Sequence, residues 1–411
     1  MTGILGYVPL VGRLVNPQAQ SIDIPPVPHQ DIETMEDHNS RSLKHLLRAN
    51  HSNYACLFGA EMKLQNPLGP LLCSAYAMGA NNVQLHALYD EYVKVLGPWE
   101  DSPSEMIDED WQDFYGNPKY QRATIDYFED ALVMTFNYDW RKLVGTFLFQ
   151  APKPLFNGLM SGLGNPLVHL ANSFQINSKE LSMEAFALSS AEYDYTAEYM
   201  NSKFYAEPSS RSSGSINDLL EQVRQDDRFN QIFSEPSLDK IPQLFQEHEA
   251  LMMEYWNAWI LDDLTKQFRE SQEVAVALLV SSVKRRSKSH SKALAQVLAA
   301  SHAIRIILQF IPKKNHIKLV RSWWLMTLAV YVSNLRPKMD TNYADVGELK
   351  GRNWSYVENM ALESPWFQDA SYVNSLRSMR DIAKTWKDAD EKILLAAVIF
   401  ADEFGGWTPQ A

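Results

Sequence analysis

The sequence predicts an all-α fold, a single large helical domain around a central ligand pocket. Three observations predict it. Apolar side chains recur at i, i+3, i+4 through most of the chain: Leu43, Leu46 and Leu47 fall on one helical face, and Leu85, Leu88, Tyr89 and Tyr92 repeat the spacing. The alternation of a half-buried strand is scarce. In 411 residues, a hydrophobic content of 45% is ample for a sizeable core.

Taken in order, Met1 to Val15 has apolar patches but no charged segment ahead of a continuous apolar run, so it does not read as a secretory signal. Residues 16–28 carry Pro17, Pro25, Pro26 and Pro28, and a run so poor in amide donors is expected to be extended and on the surface. An N-terminal segment over 1–38 and a helical domain over 39–411 follow. Long helices are expected at about 121–136, 179–202, 245–286, 291–311, 315–335 and 376–404. The stretch 206–215, Ala-Glu-Pro-Ser-Ser-Arg-Ser-Ser-Gly-Ser, has the composition of a flexible loop. A basic run from Lys284 to Lys292 has no interleaved aromatics and reads as a solvated helix junction. No internal repeat is present, and no strand, Gly-x-Gly-x-x-Gly turn and helix occur in succession, which argues against a Rossmann-type cofactor domain.

Charge narrows the partners. With 38 basic against 50 acidic side chains, the net charge of −12 repels phosphate backbones and anionic headgroups, so neither nucleic acid nor a membrane surface is expected as a partner. The longest apolar run near the C-terminus, Ile393 to Ala401, is far short of the roughly 18 to 20 residues of a spanning helix. Cys56 and Cys73 are too few for a disulfide framework and fit a reducing, cytoplasmic compartment. A monomer and a homodimer are both compatible with the composition.

Three blocks carry the functional signal. The first runs Asn50-His51-Ser52-Asn53-Tyr54, then Leu64-Gln65-Asn66-Pro67-Leu68-Gly69-Pro70, then Tyr76-Ala77-Met78-Gly79-Ala80 and Tyr89-Asp90. The second includes Tyr127-Phe128, Trp140, Leu143-Val144-Gly145-Thr146-Phe147 and Gly164-Asn165-Pro166-Leu167-Val168-His169-Leu170. The third is Lys387-Asp388-Ala389-Asp390-Glu391-Lys392. Their order and spacing resemble the questin oxidase-like family, which in fungi contributes oxidative tailoring enzymes for anthraquinones and related aromatic polyketides. The resemblance covers about 43–405.

That resemblance implies a site with several histidines and, in at least one branch, a carbamylated lysine holding a non-haem iron. Gln65, Asn66, Pro67, Gly69 and Pro70 stand where the family has closely spaced histidines. Asn165 stands for the first histidine of a pair one helical turn apart, and His169 for the second. Ala389 replaces another, Lys392 is kept, and Gln296 falls near a further one, with His302 six residues on. Asn is a poor ligand for a ferrous ion, and a carbamate on Lys392 would be labile without surrounding imidazoles.

The expected activity is therefore metal-independent acid/base catalysis on an aromatic polyketide of the anthraquinone or anthrone type, giving oxidation, ring cleavage or rearrangement. No cofactor or metal is expected, with molecular oxygen as a conceivable co-substrate. His169 is the expected general base, His51 and Lys392 its catalytic partners, and Tyr54, Gln65, Asn165 and His302 the groups binding substrate. His51 and Asn165 are assigned the developing oxyanion. An imidazole titrates near neutrality and moves a proton in either direction. Two alternatives stand beside this reading: an iron dioxygenase using His51, His169 and Lys392, and a non-catalytic polyketide-binding protein. The clusters Tyr255-Trp256-Trp259 and Trp323-Trp324 offer either core packing or flat walls for a polycyclic ligand.

Overall fold

Asp37 starts the first helix. Its side chain accepts from the Ser40 amide, and α1 (His38–Asn53) buries Leu43, Leu46, Leu47, Asn50 and His51. The computed structural model describes residues 21–200, 211–283, 288–339 and 348–409. After α1, a short antiparallel ribbon of β1 (Leu57–Phe58) and β2 (Leu64–Gln65) leads into α2 (Leu68–Ala77) and α3 (Asn82–Tyr92). Then come α4 (Gln121–Met134), α5 (Trp140–Phe149), α6 (Ser161–Ile176), α7 (Lys179–Ala191) and α8 (Ile216–Gln225). The second half holds α9 (Ile241–Ala258), α10 (Leu264–Ser281), α11 (Lys292–Ile307), α12 (His316–Ser333), α13 (Trp354–Glu363), α14 (Ala370–Thr385) and α15 (Asp390–Glu403). The predicted all-α class is what the chain adopts.

The centre is α6, packed most extensively on α7 and α11, while α14 joins α11, α2 and α15. In α7 every residue from Glu180 to Ala191 is buried. A helix buried all round is ordinarily apolar, so its two carboxylates need partners. Glu180 finds Arg48 Nε at 3.2 Å and the Ser178 hydroxyl at 2.9 Å. Glu184 finds histidines.

The entry to α6 fixes the site. Gly162, Leu163 and Gly164 take φ of 55°, 59° and 82°, and regular helix follows with Pro166 in its opening turn, where a missing amide hydrogen does little harm. At Gly162 a side chain is excluded twice. The φ is left-handed, and a Cβ there would lie 2.2 Å from Glu192 Oε2.

Several helices are shorter than the periodicity predicts. The expected 245–286 helix is two: the chain is extended at Trp259 (φ −78°, ψ 107°), and α10 restarts on Asp263, whose side chain accepts from Lys266 N. The expected 376–404 helix also breaks, at Trp386 (φ −108°, ψ 72°), and α7 ends at Ala191 rather than at 202. Both tryptophans keep the apolar pattern running through a non-helical residue.

Pro25, Pro26 and Pro28 are exposed and irregular as expected, but Ile22, Val27 and Ile32 between and around them are buried. Backbone bonds from Gln30 N to Gln175 O (2.8 Å) and Ile32 N to Ile176 O (3.2 Å) tie this lead-in to the end of α6. Residues 1–20, the 206–210 part of the expected loop and 284–287 of the basic run lie outside the described residues. In the described part of that run Lys288 and Lys292 are exposed as expected, but His290 is buried, pairing with the C-terminal segment through His290 N to Gly406 O (3.0 Å) and Thr408 N to His290 O (2.7 Å). Among the described residues, no helix is long and apolar enough to cross a membrane.

Candidate functional site

Glu184, on the middle turn of α7, stands between two imidazoles. His51 in the last turn of α1 places Nδ1 3.2 Å from Glu184 Oε1, and its Nε2 is 3.2 Å from Glu129 Oε1 on α4. His169 on α6 places Nε2 3.6 Å from Glu184 Oε2, and its Nδ1 donates to the Asn165 carbonyl at 3.1 Å. That donation fixes the tautomer, leaving the lone pair on Nε2.

The two rings titrate in opposite directions. For His51, burial works against the charged form but is outweighed by the hydrogen bonds to Glu129 and Glu184, and its pKa is pushed up to about 9. It is an imidazolium at neutral pH. For His169, burial dominates over the attraction of Glu184 and holds the ring below the ordinary histidine value, so it is neutral. A proton carrier and a proton acceptor thus share one buried carboxylate.

Beside His169 opens a cavity of about 630 Å³, lined among others by Phe58, Gln65, Tyr92, Leu163, Asn165, Val168 and Gln296. A volume in the range of roughly 300 to 1,000 Å³ is that of a small-molecule site. One wall is a chain of amides. Gln65 Nε2 donates to Glu192 Oε1 at 2.7 Å, Asn165 Nδ2 donates to Gln65 Oε1 and to the Gly162 carbonyl (3.0 Å), and Gln296 Nε2 donates to Asn165 Oδ1 at 2.8 Å. Glu192 is buried, which pushes its carboxyl up to about 7 against the opposing Gln65 hydrogen bond, and its Oε2 has no hydrogen-bond partner.

This donor set does not fit an iron ion. The cavity-lining Gln65, Asn165 and Gln296 are neutral amides bound to one another, and His51 is engaged by carboxylates at both nitrogens. Among the described residues, no group of three or more His, Cys, Asp or Glu side chains is arranged to hold a metal.

The expected site residues divide. Gln65, Asn165 and His169 line the cavity. His51 lies behind Glu184 rather than on the cavity wall, and both Asn165 amide hydrogens are spent inside the protein, so neither is placed to hold an oxyanion as expected. Tyr54 caps the end of α1, its amide donating to the Asn50 carbonyl at 2.9 Å. His302 pairs with Asp381 at 3.2 Å beside Arg377 and Arg305, and burial takes its pKa down to about 4. Lys392 reaches Glu273 at 3.8 Å from α15, which begins only after the Trp386 break and packs on α10. None of these three lines the cavity, and the Glu273 carboxylate beside Lys392 would repel a carbamate there. Tyr255, Trp256, Trp259, Trp323 and Trp324 are fully buried core and not cavity walls.

Sequence reasoning missed Glu184, Glu129 and Glu192. A signal existed for the first: Glu184 is a lone acid within Leu181-Ser182-Met183-Glu184-Ala185-Phe186-Ala187-Leu188. A carboxylate in so apolar a helix must be paired or functional.

Compared with known families, residues 65–379 match the model described as questin oxidase-like. No curated protein matches the chain. The matched span takes in Gln65, Asn165, His169, Glu184 and Gln296, begins after His51 and ends before Lys392.

Proposed function

The chain belongs to the questin oxidase-like family, and from that premise we propose that it is a tailoring enzyme acting on an aromatic polyketide of anthrone or anthraquinone type by metal-independent acid/base catalysis. Membership itself implies activity of the oxidase type. The observation that carries the finer reading is the neutral His169 on the cavity wall with Glu184 behind it.

The substrate's acidic proton, from a phenol or from carbon next to a ketone, passes to the lone pair on His169 Nε2. The electron pair of the broken bond stays on the substrate as a phenolate or enolate. The new imidazolium then faces Glu184 Oε2 at 3.6 Å, so the charge formed in the step meets a carboxylate already in place. His51, already protonated, offsets the negative charge of Glu184 and Glu129 and keeps them aligned. The resulting electron-rich anion reacts with molecular oxygen directly or rearranges within the cavity.

Incubating the purified protein with a panel of anthrones, anthraquinones and benzophenones, while following product mass and oxygen consumption, tests this. Turnover is expected to survive EDTA. Activity abolished by chelation and restored by ferrous ion would replace the reading with an iron dioxygenase, and saturable binding without product would replace it with a carrier.

A further inference from the structure

The amide chain has a direction. The Gly162 carbonyl can only accept, so Asn165 turns its nitrogen to Gly162 and to Gln65 Oε1, which leaves the Gln65 nitrogen facing Glu192 Oε1. With Asn165 so fixed, its Oδ1 faces Gln296 and draws the Gln296 nitrogen toward it at 2.8 Å. Each link therefore orients the next, from the Gly162 carbonyl outward to the cavity. What remains at the outer end, on a side chain that lines the cavity, is the free part of the Gln296 amide: its Oε1, which accepts no hydrogen bond from any described residue, and its second Nε2 hydrogen.

We propose that Gln296 is a specificity-determining residue, whose oriented carbonyl accepts a hydrogen bond from a hydroxyl on the edge of the aromatic substrate. The inference rests on the aromatic-substrate reading above and deepens it by naming the polarity of the group recognised. A hydroxyl can donate to Oε1 and also accept from the remaining Nε2 hydrogen, whereas an ether oxygen can only accept, so the hydroxyl makes one hydrogen bond that the ether cannot. Asn165 is a positioning residue in this scheme: its two amide hydrogens are consumed by Gln65 and Gly162, and it acts on substrate only by turning Gln296. Glu192 anchors the inner end, pressed so close to Gly162 that a Cβ there would overlap its carboxyl.

Quenching of tryptophan fluorescence by three probes tests the assignment at slightly acid pH, where a phenol keeps its proton: 2-hydroxyanthraquinone, 2-aminoanthraquinone and 2-methoxyanthraquinone. The first two donate and the third does not. The wild-type protein is expected to bind the hydroxy compound roughly 3- to 10-fold more tightly than the methoxy compound, the ordinary net worth of one hydrogen bond, with the amino compound between them. In Gln296→Met, which keeps the length of the side chain without the carbonyl, the three affinities should converge to within about twofold. Gln296→Leu serves the same purpose should the methionine variant fold poorly. Equal binding of all three by the wild type, or a preference that survives in both variants, overturns the assignment and leaves the aromatic reading standing. If none of the three binds the wild type, the aromatic reading falls and this inference with it.

Discussion

His51 and His169 share Glu184, and what separates them is the second acceptor each ring meets. His51 meets the Glu129 carboxylate, whereas His169 meets the neutral Asn165 carbonyl. Only the first has enough negative charge nearby to overcome burial. His169→Gln should therefore lower kcat by roughly a hundredfold or more if the imidazole is the base. In the wild type, kcat/KM should rise with pH along a limb centred below 6.5, because the reactive form of His169 is the deprotonated one and its pKa is depressed. Glu184→Gln removes the one charge that raises the His169 pKa, so the limb should move to still lower pH as kcat falls. A limb that stays in place would show that Glu184 does not act on His169. These roles were only half legible beforehand. The histidines stood out in the sequence, but His51 meets Glu184 across 133 positions, and no local spacing reveals a pairing that distant.

At the scale of elements, the long helices were readable because their faces are apolar at the helical period, and their interruptions were hidden for the same reason. Trp259 and Trp386 are apolar residues in non-helical conformation, so the pattern continues where the hydrogen-bonded ladder stops. A second signal was present at the first break, since Asp263 directly before Leu264 is a good helix start. The left-handed entry to α6 was legible only as Gly162-Leu163-Gly164, two glycines whose need appears once Glu192 is seen against Gly162 and Ala300 and Met160 against Gly164. Gly162→Ala should destabilise the protein by roughly 1 to 3 kcal/mol through the left-handed φ alone. It should also push Glu192 away from Gln65 and so weaken ligand binding. A urea midpoint unchanged from wild type would mean that this turn relaxes without cost.

For the whole molecule, the ion pairs of His51 tie α1 to α4 and α7, so its titration couples to global unfolding. The folded pKa of about 9 lies above the unfolded value near 6.5, so the folded state holds this proton more tightly. The stabilisation is fully present below about pH 6.5 and is lost as pH rises toward 9, an effect of roughly 2 kcal/mol after allowing for the partial exposure of Glu129. Thermal unfolding midpoints should decline across that window in the wild type. In His51→Gln the decline should be much shallower, and a parallel decline in both proteins would assign the dependence to other groups.

The glycine turn and the buried Glu192 have one more consequence, for how such a scaffold changes its chemistry. Gln65, Asn165 and Gln296 meet one another side chain to side chain, yet they sit on β2, α6 and α11, whose paths are set by the packing of those helices and by the left-handed turn. The backbone thus behaves as a socket whose contacts can be exchanged without rebuilding the frame. Installing imidazoles at the three positions together, as Gln65→His, Asn165→His and Gln296→His, should create a chelate with His169 nearby. Zinc titration by calorimetry should then show one tight site in the triple variant and none of comparable affinity in the parent.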